Sequence, residues 1–210
     1  MVFNTFLKRG WNFFRPFLLP FCIERLDFRN PTNNIVMHLN VEIKVRYNDS
    51  DFARQWLISN GADFKGTDHQ TDTYFKVQEG RLKLRQGNIE NSLIHYKRNN
   101  QAGPKDSHVT MTQVANGKEL KDVLEKALGI LVDVVKQREI YFIGNVKFHV
   151  DTVPGLGNFI EIEAIDSNGS IGKEKLLEQC EHYMKQLCIK KVDLISSSYS
   201  DLLLNQKPNQ

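Results

Sequence analysis

Several things are scarce in this chain, and each shortage excludes a class of explanation. Only three of its 210 residues are cysteine, Cys22, Cys180 and Cys188. They are odd in number and show no Cys-x-x-Cys spacing, which argues against structural zinc and for a reducing compartment. No Gly-x-x-x-x-Gly-Lys-Ser/Thr loop occurs, so any phosphate chemistry is not that of a P-loop enzyme. The formal net charge is +3, too small by itself to imply a nucleic-acid partner, and the basic residues are dispersed rather than run together. No apolar run approaches the roughly 20 residues that a membrane span needs. The best candidate, Phe13 to Phe21, is broken by Arg15, Pro16 and Pro20, and it lacks the unbroken core and small-residue cleavage site of a secretory signal.

Residues 1–36 are rich in Phe and contain Trp11. They read as an N-terminal extension outside the main domain. The preferred expectation is a non-native stretch ahead of a natural start at Met37; a flexible or surface-packed arm and a membrane-surface anchor are the alternatives. The main domain is expected over 37–204, with a tail at 205–210.

What the chain does have is alternation. In Asn40-Val-Glu-Ile-Lys-Val-Arg46, Val41, Ile43 and Val45 fall on one face of a strand, and Asn40, Glu42, Lys44 and Arg46 on the other. The pattern recurs with Arg81, Lys83 and Arg85, then with Lys147, His149 and Asp151, then with Glu161 and Glu163. Same-face neighbours on a strand lie about 6.6 Å apart, twice the rise per residue. One sheet therefore offers a ladder of cations and a group of carboxylates on one face and apolar residues on the other, an arrangement suited to a polyanion bound with a divalent metal.

The remaining punctuation fills in the architecture. Strands are expected from His38 to Tyr47, Asp68 to Val77, Arg81 to Gln86, Leu93 to Arg98 and His108 to Val114. Further strands follow at Ile130 to Val135, Arg138 to Ile143, Val146 to Thr152 and Phe159 to Ile165. Helices are expected after the Asn48-Asp49-Ser50-Asp51 cap, over Gly117 to Gly129, over Gly172 to Leu187 and over Tyr199 to Leu204. Residues 99–107 read as a loop. About eight antiparallel strands with a few outer helices predict an α+β fold built on an eight-stranded antiparallel β-barrel. Its interior would be polar and wide enough for a ligand, with the apolar face packed beneath the helices. Tyr74, Phe75, Tyr141 and Phe142 are expected to be packing residues, and His149 a hydrogen-bonding residue of the barrel lining.

The stretches Asn40 to Arg46, Gln70-Thr-Asp-Thr-Tyr-Phe75, Gly80 to Arg85, Gln101-Ala-Gly-Pro-Lys105 and Asp151-Thr-Val-Pro-Gly-Leu-Gly-Asn-Phe-Ile-Glu-Ile-Glu163 together resemble the CYTH family, over about Met37 to Leu204. That family contains class IV adenylate cyclases, thiamine triphosphatases and inorganic triphosphatases, and its fold is the triphosphate tunnel. The resemblance implies that Glu42 and Lys44 are the last two members of a Glu-x-Glu-x-Lys signature, with Asn40 standing where the first glutamate belongs. It makes Glu42, Asp151, Glu161 and Glu163 ligands of Mg²⁺ or Mn²⁺. It makes Lys44, Arg46, Arg81, Lys83, Arg85, Arg98, Lys105, Arg138 and Lys147 phosphate contacts, with Glu42, Lys44 and Arg98 closest to the reaction. Arg98 is preferred over Lys97 because it shares parity with Ile94 and Tyr96. Guanidinium and ammonium groups meet phosphate through charge-assisted hydrogen bonds, and hard divalent ions take oxygen ligands. The implied activity is hydrolysis of a nucleoside, thiamine or inorganic triphosphate. A class IV cyclase making cyclic AMP and pyrophosphate is the alternative, as is a non-catalytic polyphosphate- or nucleotide-binding module. A small-molecule triphosphate partner, no nucleic acid, a possible homodimer and a cytoplasmic location complete the expectation.

Overall fold

A computed structural model of the chain describes residues 36–97 and 105–206. Eight strands form one closed antiparallel barrel. They are β1 (Val36–Arg46), β2 (Asp63–Phe75), β3 (Arg81–Gln86), β4 (Ser92–Lys97), β5 (Lys105–Gln113), β6 (Ile130–Ile143), β7 (Val146–Val153) and β8 (Gly157–Asp166). Around the barrel they run β1-β5-β4-β3-β2-β6-β7-β8, and β8 pairs back onto β1 with Glu42 opposite Glu163 and Lys44 opposite Glu161. Closure leaves no open sheet edge. It also gives every strand an inside and an outside, so a period-two sequence sends alternate residues to two different environments.

Four helices accompany the barrel: α1 (Ser50–Ser59), α2 (Gly117–Leu128), α3 (Lys173–Gln186) and α4 (Tyr199–Gln206). The Asp49 side chain accepts from the Phe52 amide at 3.0 Å and starts α1. Gly61, at φ +72°, turns the chain just after that helix. Outside the barrel, Val41, Ile43 and Val45 pack with Phe148, Ile160 and Ile162 against Ala53 and Leu57 of α1 and Leu176, Cys180 and Met184 of α3. Each fully buried large aliphatic side chain there contributes about 1.5–3 kcal/mol relative to exposure. The Cys180 thiol, buried in this layer, donates to the Val41 carbonyl at 3.2 Å. Among the described residues Cys180 and Cys188 are both free, and no helix is long and apolar enough to cross a membrane.

The strand plan departs from expectation in three places. Ile130 to Val135 and Arg138 to Ile143 are not two strands but the continuous β6. The polar pair Lys136-Gln137 does not break it, because Val132, Val134, Lys136, Arg138 and Ile140 keep one parity and β2 pairs along the whole length. β2 begins at Asp63 and is bulged near Gly66, where the register against β6 shifts. β5 begins at Lys105, inside the stretch read as loop.

The interior is also not charged throughout. A second apolar cluster joins the inward residues Tyr74, Ile94, Tyr96, Val132, Val134, Val153 and Phe159 to Tyr199, with Leu202, Leu203 and Leu204 of α4 packed against it. Apolar residues thus fill one end of the barrel as well as the layer beneath the outer helices.

Candidate active site

Charged side chains from β1, β2, β3, β6, β7 and β8 converge on one cavity of about 330 Å³ inside the barrel, within the usual size of a small-ligand pocket, about 300–1,000 Å³. Its lining includes six cations, Lys44, Lys83, Arg85, Lys136, Arg138 and Lys147, and five carboxylates, Glu42, Asp72, Glu90, Glu161 and Glu163. An apolar strip of Tyr74, Ile94, Tyr96, Val109 and Met111 shares the same space.

The charges are sorted into linked groups. Arg138 grips Asp151 through Nε at 2.7 Å and Nη2 at 2.5 Å, and Nη2 also donates to Glu161 at 2.6 Å. Glu161 in turn takes Lys44 Nζ at 2.8 Å and His149 Nδ1 at 3.1 Å. Burial opposes the charge on Glu161, yet Lys44 and Arg138 hold its carboxyl well below the usual range. Burial also opposes the charge on Arg138, and the neighbouring Asp151 and Glu161 carboxylates keep it firmly protonated. Lys44 Nζ lies 3.8 Å from the centre of the Tyr199 ring.

A second group is gathered by Asp72. It accepts from Arg85 Nε at 2.9 Å and Nη2 at 3.1 Å, from Lys83 at 3.1 Å and from Lys136 at 2.6 Å. Burial works against an ionised Asp72, but Arg85, Lys136 and Lys83 keep it well below the ordinary carboxylate range. Burial pushes Lys136 down to about 7, Asp72 opposing the shift and the nearby Arg85 and Arg138 adding to it. His149 is pushed down to about 4 by burial, then by Arg138 and Lys147. Its imidazole is therefore neutral near pH 7.

Of the residues singled out in sequence, the cavity brings together Glu42, Lys44, Lys83, Arg85, Arg138, Lys147, Glu161 and Glu163. Three lie off its lining. Arg46 stands exposed at the end of β1, donates to the Leu156 carbonyl at 2.5 Å and stacks over Phe159. Arg81 pairs with Asp201 of α4 at 2.8 Å. Asp151 is 0% exposed, and its oxygens are taken by Arg138 and by the Tyr199 hydroxyl at 2.8 Å. As it stands Asp151 braces Arg138, and Glu161, whose oxygens are taken by Arg138, Lys44 and His149, is committed in the same way. Lys105 opens β5 opposite Glu42 in the strand register, and Arg98 lies outside the described residues. Sequence reasoning missed Asp72, Glu90 and Lys136. Lys136 was detectable, being two residues before Arg138 and on its face. Asp72 shares parity with Tyr74 but stands as an isolated carboxylate, and Glu90 sits in a turn where no periodicity operates.

Oxygen donors, the type that a hard divalent cation takes, come from β1 and β8. Glu42 and Glu163 are register partners on β1 and β8, and Glu161 is the next inward residue on β8. Asn40 donates through Nδ2 to Glu163, leaving its buried Oδ1 without a partner. That uncharged oxygen, next to Glu163, is a hard donor of the kind that Mg²⁺ or Mn²⁺ takes. Among the described residues, no three His, Cys, Asp or Glu side chains are grouped so that they could hold a metal ion as they stand.

The chain thus forms a closed eight-stranded antiparallel barrel with cations and carboxylates gathered around one internal cavity. Residues 38–199 match the CYTH domain, and the chain belongs to that family. Over 179 residues it is 28% identical to a Methanocaldococcus jannaschii protein whose name proposes adenylate cyclase activity, covering 78% of this chain and 98% of the relative. Its fold is shared by a solved Pyrococcus horikoshii protein with a TM-score of 0.68 at 24% identity, over 78% of this chain and 98% of that one. A Hippeastrum protein, described as a proposed adenylyl cyclase with a dominant triphosphatase activity, has a TM-score of 0.54 at 16% identity, over 82% and 98% of the two chains.

Proposed function

We propose that the barrel binds a triphosphate and hydrolyses it with the help of Mg²⁺ or Mn²⁺. The observation that carries this reading is the convergence of six cations, from β1, β3, β6 and β7, on the cavity that also holds Glu42, Glu161 and Glu163. Lys44, Lys83, Arg85, Lys136, Arg138 and Lys147 bind phosphate oxygens, with Lys44 and Glu42 nearest the reacting phosphorus. Arg98 and Lys105 complete these contacts in the family pattern. Asp151 positions Arg138. Held by Glu42, Glu161 and Glu163, the metal would neutralise charge on the phosphate oxygens during in-line transfer. The apolar strip along β4 and β5 favours a triphosphate carrying an organic group, such as a nucleoside or thiamine, over an inorganic one. The free thiols and the phosphate chemistry suit a cytoplasmic enzyme.

A class IV cyclase is the second reading, favoured by the name of the Methanocaldococcus relative. It would use the same cations but direct the ribose 3′-oxygen at the α-phosphorus and release pyrophosphate. Product analysis separates the two. Purified protein is incubated with ATP, thiamine triphosphate or tripolyphosphate, with Mg²⁺ and then Mn²⁺, beside Glu161→Gln. Orthophosphate without cyclic AMP, reduced at least tenfold in the variant, is expected. Cyclic AMP with pyrophosphate would replace the hydrolase by the cyclase, and tight binding without turnover would leave a binding module.

A further inference from the structure

Two carboxylates of the lumen, Asp72 and Glu90, have no part in that scheme, and Glu90 is the one that comes from outside the strands. Glu90 lies in the turn between β3 and β4, yet its carboxylate enters the cavity. Its Oε2 accepts from Arg85 Nη1 at 2.7 Å and from Gln70 Nε2 at 3.2 Å, and its Oε1 accepts from Lys147 Nζ. Arg85 is on β3 and Lys147 on β7, two strands that β2 and β6 separate in the barrel order. The contact therefore bridges the lumen instead of following a seam between paired strands.

The turn that carries Glu90 is braced. Buried Asp68 accepts from the amides of Ile89 and Glu90, each at 2.9 Å. Asn91 Nδ2 donates to the Gly87 carbonyl at 2.8 Å, and Asn88 Nδ2 to the Thr67 carbonyl at 3.1 Å. Gly87 leaves no room for a side chain, since a Cβ there would meet Asp68 Oδ1 at 2.5 Å. The carboxylate is thus mounted, and pulling it away would break its ion pairs with Arg85 and Lys147, leaving Arg85 with Asp72 alone, which is costly.

A carboxylate held by an arginine and a lysine across a cation-lined cavity takes the place that a further phosphate group would fill. We propose that Glu90 is an internal anion that ends the row of phosphate contacts, so that the lumen accepts a triphosphate and rejects longer phosphate chains. The idea rests on the proposed function, in which the phosphate chain lies along this lumen. Arg85 and Lys147 carry several N–H donors each and can hold Glu90 while contacting the terminal phosphate. A fourth phosphate would have to displace Glu90 against direct charge repulsion.

Binding by calorimetry tests this with tripolyphosphate, tetrapolyphosphate and a chain of about fifteen phosphates, a probe set fixed by the charge argument. The full chain is compared with Glu90→Gln, and with Glu79→Gln as a control for net charge, because Glu79 pairs with Lys97 on the surface. The wild type is expected to prefer tripolyphosphate over the longer chains by tenfold or more. Glu90→Gln should erase most of that preference, and Glu79→Gln should keep it. If the neutral variant does not fold, Glu90→Asp draws the carboxylate back from Lys147 and is expected to relax the preference in the same direction. A folded Glu90 variant with an unchanged preference, beside a wild type that binds tripolyphosphate, overturns this inference alone. Binding by Glu90→Gln but not by the wild type would overturn the proposed function while leaving the internal anion standing. No binding by either would overturn both.

Discussion

Lys136 is 2% exposed and pairs with Asp72 at 2.6 Å. Its pKa falls from 10.5 to about 7, burial being the main cause. The unfolded chain therefore holds a proton between pH 7 and 10.5 that the folded chain lacks. Stability of the ligand-free protein should rise with pH through that window, by a few kcal/mol at most, at about 1.4 kcal/mol per pKa unit. A bound polyanion favours the charged ammonium, so binding near pH 8 should draw in a proton. Calorimetry of tripolyphosphate binding at pH 8, in two buffers of different ionisation enthalpy, should show uptake of about half a proton or more, absent in Lys136→Met. Identical apparent enthalpies in both buffers for the wild type would refute this role. Lys44 and Lys83 were legible because each sits in a clean alternation, and Arg138 was reached through the family resemblance. Lys136 was hidden by an assumed strand break, and Asp72 because one carboxylate does not make a ladder.

At the level of elements, β6 and α4 explain most of what the sequence left obscure. Reading β6 as two strands lost the parity connecting Val132 and Val134 to Lys136 and Arg138, a connection that becomes evident only when β2 is paired along its whole length. The short C-terminal helix was found in sequence, but nothing local says where it docks. Its Tyr199 reaches Asp151, and through it the guanidinium of Arg138, while the same ring lies under Lys44. α4 therefore positions two cations of the lumen from outside the strand pattern. Tyr199→Phe keeps the ring and removes the hydroxyl donor to a fully buried carboxylate. A stability loss of about 1–3 kcal/mol is expected from the hydrogen bond removed, measurable by urea denaturation. Tripolyphosphate affinity should weaken severalfold in the same protein. Unchanged stability and affinity would mean that Asp151 holds Arg138 without help from α4.

For the whole molecule, closure of the barrel was legible because eight alternating strands with charge on one face need an interior to put it in. The balance of that interior was not. Cations stood out as a ladder on β3 and as Lys147 in the alternation of β7, whereas Asp72 and Glu90, which neutralise them, did not. With Lys136 neutral above pH 7, five cations face five carboxylates around one cavity, so a triphosphate bearing roughly four negative charges is met by no standing excess of positive charge. Two sources can make up the difference: protons, as at Lys136, and divalent ions on the Glu42, Glu161 and Glu163 side. Removing the ions should then expose the shortfall. Chelation with EDTA is expected to weaken tripolyphosphate binding tenfold or more at pH 8, and by less at pH 6.5, where Lys136 already carries its proton. Glu42→Gln should blunt the metal effect, because it removes a ligand and a competing negative charge together. Equal affinity with and without metal at both pH values would mean that the six cations suffice alone, and that the three glutamates serve only to hold them in place.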